Sequence, residues 1–165
     1  MNEKIIQILE NITLLLQIKG ENFFKFSAYS KAADILRALD DDIVELVKNG
    51  RLSEINGIGK ALNEKISDYV RNGKMTYYEN LIIEYPLTLL ELLKIDGLGA
   101  KKVQQVFNEL NIKSIEDLEN NCKSGELENL KGFSKSGVGK ILESIQIYRN
   151  NENYKERKID FDKIQ

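Results

Sequence analysis

The feature that most constrains this chain is a short pattern that recurs along it. Ile55-Asn56-Gly57-Ile58-Gly59-Lys60 is echoed by Ile95-Asp96-Gly97-Leu98-Gly99-Ala100-Lys101-Lys102, and more loosely by Leu130-Lys131-Gly132-Phe133-Ser134-Lys135. In the third copy Ser134 stands where the second glycine would be. Each copy reads as a short helix, a bend of glycine, apolar residue and small residue, and then a longer helix. Glycine accepts positive φ and carries no Cβ, so another backbone can come close to the bend. The helix that follows starts with unpaired N–H groups and the positive end of its dipole, which suits a phosphate. A lone copy is equally well a tight connection between packed helices, with Ile58 and Leu98 as core plugs. Recurrence with lysines entering the next helix favours phosphate binding. Backbone amides cannot read bases, so such binding has little sequence preference.

The charge pattern agrees with that reading. The 165 residues hold 24 Lys and Arg against 26 Asp and Glu, a formal net charge of −2. A uniformly basic surface is excluded, but phosphate affinity depends on where the cations sit. Lys60, Lys65, Lys101, Lys102, Lys131, Lys135 and Lys140 fall in or just after the three bends, whereas Asp40-Asp41-Asp42 and Glu116-Asp117-Leu118-Glu119 lie elsewhere. With no His and only Cys122, the chain cannot build a disulfide framework, a His/Cys zinc site, a Ser-His-Asp triad or a Cys-His dyad. No apolar run is long enough to span a bilayer, so no membrane association is expected and a cytoplasmic location is the default.

Periodicity predicts an all-α fold, a helical bundle with tandem helix-hairpin-helix motifs, since no segment alternates with period two. Asn2 is placed to cap a first helix that Gly20 ends, and residues 23–39 give a second, with Phe23 and Phe26 assigned to core packing. Asp40 to Asp42 cap a third helix rather than hold a metal. Pro86, the only proline, opens the second half. The expected organisation is a first domain over residues 1–85 with one hairpin, a second over 86–149 with two, and a polar tail or linker over 150–165. Asp160-Phe161-Asp162 has the spacing of paired carboxylate ligands but falls in that tail, where it reads as solvated.

Phe24-Lys25-Phe26-Ser27-Ala28-Tyr29-Ser30-Lys31-Ala32-Ala33, then Gly57-Ile58-Gly59 and Glu64-Lys65-Ile66, resemble the amino-terminal lyase domain of the family X DNA polymerases, the family of DNA polymerase beta. Residues 92–118, with Gly97-Leu98-Gly99 and Ile115-Glu116-Asp117-Leu118, resemble the DNA-gripping subdomain that follows it. By this resemblance Lys65 is the amine that forms a Schiff base with an abasic sugar, Glu64 is a neighbouring acid, and Tyr29 shapes the lyase pocket. Lys25 holds a downstream 5′-phosphate, and Phe24 replaces a histidine that stacks on DNA. Ala61 and Tyr77 stand where the family often has lysines, which implies a weaker grip on phosphate. The resemblance implies DNA contacts at Gly57, Ile58, Gly59 and Lys60, at Gly97, Leu98, Gly99, Ala100, Lys101 and Lys102, and at Gly132 and Lys135. It also implies Na+ or K+ on backbone carbonyls of Ser53, Ile55 and Ile58 and of Leu93, Ile95 and Leu98, while the lyase step itself needs no cofactor.

The resulting expectation is a module that binds gapped, nicked or 5′-phosphate-bearing DNA in repair, with 5′-deoxyribose-phosphate lyase activity through Lys65. It is expected to be a monomer, nucleoid-associated in a prokaryote or nuclear in a eukaryote, with a polymerase palm as its missing partner. No polymerisation by this chain alone is expected. The alternatives are a non-enzymatic helix-hairpin-helix DNA adaptor, which binds without forming an adduct, and a protein-interaction module that does not bind DNA.

Overall fold

The computed structural model describes the backbone of residues 1–164 and side chains through residue 152. Every regular element among these residues is helical, and the chain divides into two compact units, Met1–Leu87 and Thr88–Gln165.

In the first unit α1 (Asn2–Lys19) lays Ile5, Leu9, Ile12, Leu15 and Leu16 along α2 (Phe23–Arg37). Ala32 and Ala33 on α2 are buried and small, so the two helix axes can approach closely. Each fully buried Leu or Ile here contributes about 1.5–3 kcal/mol of apolar burial. α1 ends at Gly20, whose φ of 91° lets its amide bond back to the carbonyls of Leu16 and Gln17. α2 begins at Asn22, whose side chain accepts the Lys25 amide. α3 (Ile43–Lys48), α4 (Lys60–Asn72) and α5 (Thr76–Glu84) complete the unit.

Two details differ from the sequence reading. Asn2 does not cap α1; it lies inside the helix, accepts the Ile43 amide at 3.0 Å and donates to the Asp41 carbonyl. It therefore ties down the start of α3, where Asp42 accepts the Val44 amide as the cap. Phe23 is not core, being 62% exposed: in the first turn of α2 its ring meets Phe24 and Phe26 edge-on, while Tyr29, Ala33 and Leu36 further along are buried.

The second unit comprises α6 (Leu89–Leu92), α7 (Ala100–Leu110), α8 (Ile115–Ser124) and α9 (Lys135–Ile164). Its core joins Val103, Val106 and Leu118 with Val138, Ile141 and Ile145. Where a polar tail was expected after residue 149, α9 runs on to Ile164. No Gly or Pro follows Gly139, so nothing in the sequence breaks the helix. The side chains of Asp160-Phe161-Asp162 lie outside the described residues.

α8 is fastened to α9 by Glu119, which is almost buried and accepts from Arg149 at 2.7 Å, with Lys123 at 3.8 Å. The Arg149 hydrogen bond holds the Glu119 carboxyl below its ordinary value of 4.5 against the opposing effect of burial. A depressed carboxylate contributes stability that is complete above the unfolded value and disappears as pH falls through the folded one. Glu119→Gln should therefore be less stable than the natural chain by about 1 kcal/mol near neutrality, with the gap closing below pH 4.5. Thermal unfolding of both chains between neutral and acid pH checks this, and a gap independent of pH would contradict it.

Candidate nucleic-acid interface and lysine pocket

The three bends share one construction. In each, the carbonyl of the first apolar residue accepts the amide three residues on: Ile58 to Ile55, Leu98 to Ile95 and Phe133 to Leu130, all at 3.1 Å. The residue at the centre is driven inward, leaving Ile58 3%, Leu98 4% and Phe133 5% exposed. The glycines beside it stay on the surface. Gly57 has φ of 99° and Gly97 of 94°, so these positions need glycine. An added Cβ at Gly57 would also press on the tip of the Ile35 side chain, which would have to turn aside.

Gly59 and Gly99 are different. Both are extended, with φ of −78° and −88°, and a Cβ at either would meet nothing within 4 Å. Neither α4 nor α7 has a side-chain cap, so no capping side chain takes up their first amides at the dipole's positive end. Ser134, at the matching place before α9, behaves otherwise: its Oγ accepts the Gly137 amide at 3.0 Å. The third helix start thus supplies its own acceptor, while the first two do not.

Within the second unit the last two hairpins seat on each other. Gln105 on α7 donates to the Lys131 carbonyl at 2.8 Å, and the Asp96 amide donates to Ser144 Oγ on α9 at 2.8 Å. Lys102 Nζ lies 5.1 Å from the Phe133 ring centroid, so it is partly a packing residue, whereas Lys101 is exposed. Gly97, Lys102, Gly132 and Lys140 line the groove between these two bends. Lys60 and Lys135 are exposed.

The lyase-like residues are distributed as follows. Lys65, half-buried on α4, sets its Nζ 4.7 Å from the ring centroid of Tyr77 on α5. Tyr77 stacks on Tyr29, with centroids 5.9 Å apart and planes 4° from parallel. Burial, with a Tyr77 hydrogen bond and the Tyr77 charge adding to it, holds the Tyr29 phenol well above its usual range. Lys65 and Tyr29 are thereby brought into one cluster, through a residue that sequence reasoning noted only as a lost lysine. Glu64 is exposed and lines a separate polar cleft with Asn63, Asp68 and Arg71. Lys25 is exposed and paired with Glu21 at 3.3 Å, a surface contact worth at most about 1 kcal/mol. Phe24 is 84% exposed and touches Phe23 edge-on, with centroids 6.1 Å apart. Among the described residues there is no group of three or more metal-ligating side chains, and no helix is long and apolar enough to cross a membrane. Cys122 is buried, which pushes its thiol up to about 11 and leaves it a packing residue.

Comparison with known proteins fits this geometry. Residues 1–75 match a family model described as a helix-hairpin-helix domain, and residues 89–146 match a SAM-like helix-hairpin-helix tandem. The chain is a tandem helix-hairpin-helix protein. More narrowly, it is similar to the DNA polymerase/3′-5′ exonuclease PolX of Bacillus subtilis (strain 168), with 37% identity over 141 residues. That match covers 86% of this chain and 24% of the relative's length.

The two glycine positions of the first bend make a direct test of its construction. Gly57→Ala should lose about 1–2 kcal/mol, chiefly from left-handed backbone strain, with the tip of Ile35 displaced. Gly59→Ala should lose less than about 1 kcal/mol. Equal losses by chemical denaturation would contradict the assignment.

Proposed function

We propose that the chain binds the sugar-phosphate backbone of gapped or nicked DNA through its first two hairpins, and that Lys65 carries 5′-deoxyribose-phosphate lyase activity. The observation that carries the binding reading is the pair of uncapped, open helix starts after Gly59 and Gly99, flanked by exposed Lys60 and Lys101. Such starts combine free amides with a favourable dipole and add no base readout. The two helix-hairpin-helix matches and the similarity to PolX support DNA binding independently of that geometry.

Backbone carbonyls of Ser53, Ile55 and Ile58, and of Leu93, Ile95 and Leu98, supply only neutral oxygens, a donor set that suits Na+ or K+. The Ile55 and Ile95 carbonyls each accept one bond at the bend, which leaves each a second lone pair. A cation there would add positive charge beside the bound phosphate.

The lyase reading rests on Lys65 in its aromatic pocket. Its neutral amine adds to the C1′ aldehyde of the ring-opened sugar, the carbonyl oxygen departs as water, and an iminium forms. Water takes the C2′ proton and the iminium becomes an enamine; the enamine electrons then form a C2′=C3′ double bond as the C3′–O bond breaks, its electron pair leaving on the phosphate oxygen. Hydrolysis of the imine then returns the lysine.

Binding to gapped, nicked and intact duplexes at two salt concentrations tests the first part. Gapped DNA should bind most tightly, and Lys101→Glu should weaken every duplex while lowering the salt slope by about 1. Tetramethylammonium in place of K+ at equal ionic strength should weaken binding if the carbonyl sites are used. No binding at low salt would remove the DNA reading in favour of a protein-interaction module. Borohydride trapping on a 5′-deoxyribose-phosphate substrate tests the second part. The natural chain should form an adduct that Lys65→Ala loses, and binding without any adduct would leave a non-enzymatic DNA adaptor.

A further inference from the structure

The ring that the Lys65 amine meets in the aromatic cluster belongs to Tyr77, which the lyase chemistry above does not use. We infer that Tyr77 is the positioning residue for Lys65: its ring holds the ammonium and so fixes a flexible side chain in the lyase pocket before a sugar arrives. This inference rests on the lyase reading above.

Three observations carry it. Lys65 Nζ lies 4.7 Å from the Tyr77 centroid, inside the range over which a ring face attracts a cation. Tyr77 is itself held, stacked nearly parallel on the buried Tyr29, which α2 anchors against α1. Lys65 has no carboxylate partner within ion-pair distance among the described residues, so the ring is the contact that orders it. A lysine has a long, mobile stem, and a strong ion pair would fix it but also hold the proton tightly. A ring fixes it with a weaker attraction, which the amine can leave when it turns to the aldehyde. At this place a second lysine would instead repel Lys65 and add a phosphate contact. Tyr77 exchanges that contact for order at the amine.

The ring and the hydroxyl can be separated experimentally. Tyr77→Phe keeps the face over which Lys65 lies and loses the hydroxyl, whereas Tyr77→Leu keeps bulk and loses the face. Single-turnover borohydride trapping on a gapped 5′-deoxyribose-phosphate duplex should give Tyr77→Phe a rate within about twofold of the natural chain. Tyr77→Leu should be about tenfold slower at unchanged DNA affinity, since the phosphate-binding bends are untouched. The ε-methylene proton resonances of Lys65 supply a readout independent of activity. Ring current should shift them upfield in the natural chain and Tyr77→Phe, and they should return to ordinary lysine values in Tyr77→Leu. Equal trapping rates for the natural chain and Tyr77→Leu, or unshifted ε-protons in the natural chain, would overturn the inference while leaving the lyase reading standing. No adduct with the natural chain would overturn both.

Discussion

The structure depends on a conflict resolved at each bend: an apolar side chain must be buried in the middle of a segment whose backbone must stay exposed. The bond from the first apolar carbonyl to the central residue's amide closes the bend, and burial of Ile58 or Leu98 pins it to the unit beneath. Positive φ at Gly57 and Gly97 lets the chain reverse there without strain. Once the bend is pinned, the following helix starts beside an exposed glycine with no side-chain cap. The phosphate site proposed here would need no polar side chain, and so asks little of the composition.

The third bend shows what happens when one residue of that scheme changes. Leu130, Gly132 and Phe133 reproduce the same closure, but the Ser134 hydroxyl occupies the helix start that Gly59 and Gly99 leave open. Its principal structural work is to support its neighbour: Phe133 packs under Lys102, the Lys131 carbonyl takes Gln105, and Ile141 packs at Gly97. The two lysines after the second bend are therefore unequal. Lys102 is partly committed to packing, while Lys101 is free to face a ligand.

Much of this was legible in the sequence because it is local. Glycine spacing at the bends and the stop at Gly20 depend on residues a few positions apart, and the elements follow them closely. What could not be read depended on contacts across the fold. Asn2 looks like a cap for its own helix and instead serves the start of α3, 41 residues on. Phe23 fits the helical apolar spacing, yet its edge contacts with Phe24 and Phe26 leave it largely exposed. Tyr77 reads as a missing cation until α5 folds back and brings its ring beneath Lys65. Composition after residue 149 looked like a tail, whereas the absence of a breaker proved the better guide to where α9 runs.

The central claim is that backbone amides at the first two helix starts are the phosphate ligands. Amide chemical-shift mapping on the isotope-labelled chain, titrated with a gapped duplex, tests it directly. Residues 60–62 and 100–102 should shift most, with residues 135–137 shifting less because Ser134 already satisfies that helix start. Shifts concentrated around Asp40 to Asp42, or undisturbed amides at both open helix starts with DNA bound, would contradict it.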